Sequence, residues 1–186
     1  MRGVTVFGMR KEIQRLGPFD SKKCVNVIVE TPKGSRVKYS YQEKTGLFEL
    51  SKALPEGMMF PFNFGFIPGT EADDGDPLDI LIVNEEPLVP GCLLKAKLAG
   101  AIKAQQSENG KNIRNDRLIG FAVSKETPTF LESIELNGKL LKEVGHFFVS
   151  YNKMHGKRFK VLGRLGPKQA KAIVKKGARA YGNGRA

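Results

Sequence analysis

The hydrophobic positions along this chain change their period once. Up to about residue 124, short apolar or alternating runs are separated by Gly, Pro and Asn turns. They predict strands over 25–30, 36–41, 60–67, 79–83, 93–104 and 117–123. The first two flank Thr31-Pro-Lys-Gly-Ser35, a turn sequence, and are expected to form a hairpin. Phe60, Phe62, Phe64 and Phe66 recur at the period of a strand and are expected to fill a barrel core, rather than to stack nucleic-acid bases. Beyond residue 138 the period becomes helical. Leu140, Leu141, Val144, Phe147, Phe148 and Tyr151 predict one helix of about fifteen residues. A further strand is expected over 158–162, and Pro167 in the first helical position opens a last helix carrying Ala170, Ile173 and Val174 between lysines. Strands first and helices later indicate an α+β fold built on a small closed barrel, not a doubly wound parallel sheet.

A chain of 186 residues is expected to form a single domain over 1–186, large enough to bury a core without disulfides. Apolar runs such as Ile80-Leu-Ile-Val83 fall far short of the ~20 residues a bilayer span requires, so no membrane partner is expected. Residues 4–9 are too short and too polar for a secretory signal, and a cytoplasmic location follows as the expectation. Cys24 and Cys92 are expected to be reduced thiols, and two histidines leave little material for zinc ligation or a His-dependent triad.

Charge changes the picture more. The formal net charge is +12, yet no Asp or Glu follows Glu143, while eleven Lys and Arg lie between Lys153 and Arg185. Residues 1–143 carry 20 basic and 19 acidic side chains, so a near-neutral body is joined to a basic C-terminal segment, 153–186. Such a segment attracts polyanions, which keeps nucleic acid as an alternative partner, although a solvated face is the commoner origin of a charge run.

The densest chemistry lies in Glu71-Ala-Asp-Asp-Gly-Asp-Pro-Leu-Asp79. Asp73, Asp74, Asp76 and Asp79 crowd together immediately before the apolar run 80–83. Carboxylates this close repel one another unless something positive neutralises them, and hard oxygen donors suit Mg²⁺, which takes one or two carboxylates and keeps several waters. Gly75 permits a turn that lets Asp74 and Asp76 face one ion, and Pro77 keeps the segment from becoming helical. An exposed acidic turn is the alternative for such a cluster taken alone.

The cluster is not alone. Glu30 ends a predicted strand, Lys38-Tyr39 follows the next turn, Phe60-Pro-Phe-Asn-Phe-Gly-Phe66 precedes the acidic loop, and His146-Phe-Phe-Val-Ser-Tyr151 comes later. In this order, over residues 24 to 163, these segments resemble the soluble family I inorganic pyrophosphatases. The resemblance implies a five-stranded OB-like β-barrel with flanking helices, and Mg²⁺-dependent hydrolysis of inorganic pyrophosphate to two phosphates. It implies Asp74 and Asp79 as metal ligands, Glu30 as a ligand to a further ion, and Asp76 as the base beside the attacking water. Lys38, Lys52, Arg117 and Tyr151 become the substrate-binding set, with Lys52 standing for the family's arginine and Arg117 for a lysine. Pyrophosphate and further copies of the same chain, as a homo-oligomer, are the expected partners.

Several positions depart from the family pattern. Ser40 stands for an acid, Phe60 and Phe64 for tyrosines, and Asn152 for a lysine. Ser107 and Asn115 fall where two metal-binding aspartates are expected, with Glu108 and Asp116 one residue away; regular strand parity turns Asp116 to the other side. Fewer bound ions and a reduced or altered activity are the expectation. The alternative is a catalytically degenerate relative that binds nucleic acid or polyphosphate through the basic segment. Because every assigned residue precedes Asn152, residues 167–186 are expected to be dispensable for hydrolysis.

Overall fold

The order of elements is β1 (Val25–Thr31), β2 (Val37–Gln42), β3 (Leu47–Ala53), β4 (Asn63–Ile67), β5 (Leu78–Val83), β6 (Leu93–Glu108), β7 (Lys111–Arg114), β8 (Arg117–Val123), α1 (Gly138–Met154), β9 (Arg158–Leu165) and α2 (Pro167–Asn183). This is a computed structural model, describing residues 12–84, 86–108, 110–123 and 138–184; the stretch 4–9 and the side chain of Glu108 lie outside the described residues. β1 pairs antiparallel with β4, β4 with β5, β5 runs parallel to β8, β8 pairs with β6, and β6 returns to β1. These five strands close a ring. The 16-residue β6 runs on past the ring and carries β7 and β9 on its extension, while β2 and β3 form a separate two-stranded sheet. The result is a mixed α+β architecture with a sheet-dominated core.

Alternate residues of all five ring strands meet in one buried cluster that includes Val25, Val27, Ile67, Ile80, Ile82, Ala96 and Leu118. Neighbours on a strand face opposite sides, so this shared face is the inside of the ring. Helix α2 joins the same cluster through Ala170 and Val174, both 0% exposed. Lys168, Lys175 and Arg179 lie on its exposed side. The basic segment is therefore half core, and the expectation that 167–186 can be removed is corrected: deletion would uncover the ring interior.

The outer face of the ring carries Leu81, Ile102 and Ile119, covered by Val144 and Phe148 of α1. The phenylalanine stripe belongs here. Phe60 and Phe64 pack 5.2 Å and 6.1 Å from Phe147 and Phe148, and Phe66 stacks on Tyr41 at 5.5 Å. Ile67, one peptide on from Phe66, points inward. Phe60, Phe64 and Phe66 are buried and Phe62 half-buried, but outside the ring rather than in its core.

The expected hairpin across Thr31–Ser35 does not form either. β1 is buried along its whole length and takes partners on both edges, whereas the half-exposed β2 pairs with β3, a strand that the hydrophobic pattern leaves unannounced. Side chains tie β2 to β1 instead. The Thr31 hydroxyl accepts from Tyr39 N–H at 3.0 Å and donates to the Tyr39 carbonyl at 3.1 Å.

Leu118 is fully buried inside the ring and Leu162 of β9 is 43% exposed. Leu118→Ala is expected to cost ~2–5 kcal/mol in urea unfolding, and Leu162→Ala only about 0.5 kcal/mol. Equal losses would contradict this placement of the core.

Candidate active site

Strand parity selects which side chains leave the ring on its outer face. On β1 that face presents Glu30, on β4 Phe64 and Phe66, on β5 Asp79, and on β8 Arg117. Of these, Glu30, Phe66, Asp79 and Arg117 floor a cleft of about 380 Å³, with the Phe64 ring packed against Arg117. The acidic loop adds Asp74 and Asp76 along one wall. Lys38 and Lys52, direct register partners across β2 and β3, form part of another wall, and Tyr151 enters from the C-terminal turns of α1. Every residue singled out from the sequence as catalytic, metal-binding or substrate-binding lines this one cleft: Asp76; Asp74, Asp79 and Glu30; Lys38, Lys52, Arg117 and Tyr151. Ser40, Asn115 and Asn152 line it as well.

Arg117 is the anchor of the floor. It is only 6% exposed, with its guanidinium 5.0 Å from the Phe148 ring centre, 5.8 Å from Phe159 and 6.0 Å from Phe64. The ring faces carry partial negative charge and hold a weakly hydrated cation well. Its Nη1 donates to both Asp79 Oδ2 and Asn115 Oδ1, while Nε is buried with no hydrogen-bond partner among the described residues. A buried guanidinium is costly unless paired, so Arg117 and Asp79 hold each other in place.

Glu30 is 8% exposed and accepts a hydrogen bond from Tyr41 N–H at 2.7 Å. Burial pushes its carboxyl up to about 7; the Tyr41 N–H and Lys38 oppose this, and Asp79 and Asp76 add to it. Desolvation likewise raises the Asp74 carboxyl, opposed by the Asp76 N–H that donates to Asp74 Oδ1 at 3.3 Å and reinforced by Asp76 and Asp79. Burial also raises the Tyr151 phenol. The carboxylate side of the cleft thus carries more negative charge than Arg117 balances. That excess, on hard oxygen donors, fits a divalent cation. Among the described residues no three His, Cys, Asp or Glu side chains form a ready cage, so the donor set suits an ion that keeps waters rather than one fully enclosed by protein.

The positions flanking the site resolve by parity. Asn115 shares the face of Arg117, whereas Asp116 turns away, accepting from Ala104 N–H at 2.9 Å and from Arg114 Nη2 at 2.9 Å. Ser107 is not in the cleft. Gln106 shares a face with Ile102 and Ala104, lines the cleft and accepts from Asn115 Nδ2 at 3.4 Å, while Ser107 bonds Asn112 on the β6–β7 hairpin. Asn152 folds back on its own helix, donating to the Phe148 carbonyl at 2.8 Å. His155 also lines the cleft, with Lys157. Its Nδ1 lies 2.7 Å from the Tyr151 carbonyl oxygen and its ring 4.6 Å from that of Tyr151. A Gly156 with φ of 70° ends the helix there, and this turn signal is what could have marked the two residues beside it.

Comparison with known proteins matches residues 27–182 to the family model described as inorganic pyrophosphatase. The chain is 37% identical over 163 residues to soluble inorganic pyrophosphatase 2 of Chlamydomonas reinhardtii, covering 87% of this chain and 83% of that one. It is 38% identical over 161 residues to the inorganic pyrophosphatase of Nanoarchaeum equitans, covering 84% and 97%. The solved structure of the Thermus thermophilus inorganic pyrophosphatase superposes with a TM-score of 0.81 at 28% identity, covering 91% of this chain and 98% of that one.

The elevated Glu30 carboxyl has a testable sign. A folded value above the unfolded one means that its contribution to stability is intact below about 4.5 and falls as pH rises to about 7, where the buried charge must form. In metal-free protein, Glu30→Gln should therefore match wild type at pH 4 and exceed it above pH 7, by on the order of 3 kcal/mol. Urea unfolding in a chelator at both pH values measures this difference. A gap that stays constant with pH would contradict it.

Proposed function

The chain belongs to the inorganic pyrophosphatase family, and from that premise we propose that it hydrolyses inorganic pyrophosphate to two phosphates with Mg²⁺ as the divalent cation. The observation that carries this reading is the convergence of four carboxylates and four Lys and Arg side chains in one cleft. Asp74 and Asp79 would hold the ion, with Glu30 for a further one. When bound, the cation would polarise phosphate oxygens and bring the pKa of a water bound to it down toward neutral. Asp76 is assigned the proton of the attacking water. Lys38, Lys52, Arg117 and Tyr151 bind and orient the two phosphoryl groups and stabilise charge on the leaving phosphate. His155 and Lys157 add donors near the place where Asn152 supplies no charge.

We read the closed ring as an OB-like barrel, the whole chain as one domain with a basic C-terminal segment, and the enzyme as a cytoplasmic homo-oligomer. No described helix is long and apolar enough to cross a membrane. The alternative of a degenerate polyanion binder has less support. Lys176 is engaged by Asp73 at 2.8 Å, the inner side of α2 is core, and a mere binder of polyanions gains nothing from the carboxylates of the acidic loop.

Purified protein should release phosphate from pyrophosphate only when a divalent cation is present. Asp76→Asn keeps the shape but cannot accept a proton near neutral pH, so it should lose ~10²–10⁴ of the rate with unchanged thermal unfolding. Wild-type release no faster than a cation-free blank would overturn the reading.

A further inference from the structure

The acidic loop that precedes Asp79 is held from one side by the C-terminal helix. Glu71 N–H donates to the Gly177 carbonyl of α2 at 3.0 Å, and Lys176 Nζ lies 2.8 Å from Asp73 Oδ1. Within the loop, Ala72 N–H donates to the Asp76 carbonyl at 2.7 Å, and Leu78 N–H to the Thr70 hydroxyl at 3.1 Å. A displacement of residues 71 or 78 is thereby passed to Asp74, Asp76 and Asp79.

Gly177 is the tightest point of this contact. A Cβ there would stand 2.7 Å from Leu78 Cδ1 and 3.1 Å from the Glu71 carbonyl oxygen. Its backbone is not in the positive-φ region, and the middle of a helix ordinarily favours Ala over Gly. Conformation therefore gives no reason for glycine at this position; space does. Leu78 belongs to the interior cluster that α2 seals with Ala170 and Val174, and it borders a cavity of about 280 Å³ beside α2.

We propose that Gly177 is a positioning residue: the missing side chain lets α2 seat the acidic loop, and the seating sets the loop's affinity for its divalent cation. The basic C-terminal helix is then part of the catalytic apparatus without touching substrate. This inference rests on the acidic loop holding the cation, as assigned above.

The test is binding of Mn²⁺ alone to metal-free protein, followed by electron paramagnetic resonance, with hydrolysis measured alongside. Gly177→Ala should bind Mn²⁺ ~10-fold more weakly, the lower end of what misplacing a ligand's support costs. The cation concentration for half-maximal hydrolysis should rise in parallel. Leu78→Val removes Leu78 Cδ1, the nearest of the atoms that the new methyl meets, so Gly177→Ala with Leu78→Val should return Mn²⁺ affinity to within about threefold of Leu78→Val alone. Should Gly177→Ala fail to fold, the double variant decides, because recovery of both folding and Mn²⁺ binding supports the proposal. Mn²⁺ affinity of Gly177→Ala within twofold of wild type, or a loss that the second substitution does not recover, overturns it. Wild-type protein that binds no Mn²⁺ would instead sink the assignment of the acidic loop, and this inference with it.

Discussion

A guanidinium without water must have its charge answered, and in this chain the answer fixes the site. Arg117 sits on an aromatic floor made by Phe64, Phe148 and Phe159, and its Nη1 reaches Asp79 and Asn115. Losing one partner of a buried ion pair typically costs ~3–5 kcal/mol, far more than an exposed pair contributes. That penalty pins Asp79, and Asp79 ends the acidic loop. One buried cation therefore sets where the carboxylates stand, and those carboxylates still carry more negative charge than it can offset.

The fold separates rigidity from chemistry by alternation. Inward residues of the five ring strands make an apolar core closed by α2, and outward residues make the seat of α1, the cleft, or a patch in which Ile28 and Phe66 meet Ile13, Tyr41 and Phe48. Because both faces are used, the same strands that bury Ile80 and Leu118 deliver Asp79 and Arg117 one residue away. The opposing cations come from elements that lie off the ring: the β2–β3 sheet and the end of α1. Glu30 belongs to both groups, buried by the ring yet facing the cleft, which is why its carboxyl is pushed up to about 7.

Much of this was legible in the sequence because it is local. Short apolar or alternating runs announced β4, β5 and β8, helical period announced α1, Pro167 opened α2, and the crowding of Asp73, Asp74, Asp76 and Asp79 marked the acidic loop. What was not legible depends on partners. Nothing between Val25 and Tyr41 says that β1 seeks β4 and β6 rather than β2, because a strand buried on both faces shows no alternation. The β3 sequence Leu47-Phe-Glu-Leu-Ser-Lys-Ala53 is largely exposed and pairs through a bulge beside Lys38, so its hydrophobic signal is weak. Gln106 rather than Ser107 reaches the cleft because face is decided by register, and β6 carries bulges at Leu98/Gly100 and Lys103/Ala104. His155 was hidden because its role follows from where α1 stops. The basic run looked like an appendage because charge is visible in a sequence and the burial of Ala170 and Val174 is not.

On the reading proposed above, the carboxylates of the acidic loop, which Arg117 alone does not neutralise, are balanced by a divalent cation held by that loop. The most direct measurement is an anomalous difference map from crystals of the wild-type protein grown with Mn²⁺, recorded above the manganese absorption edge. The account predicts a peak in the cleft within coordinating distance of Asp74 or Asp79, about 2–2.5 Å for oxygen donors, with Asp76 beside it. A cleft without a peak, or manganese bound only elsewhere on the surface, would contradict it.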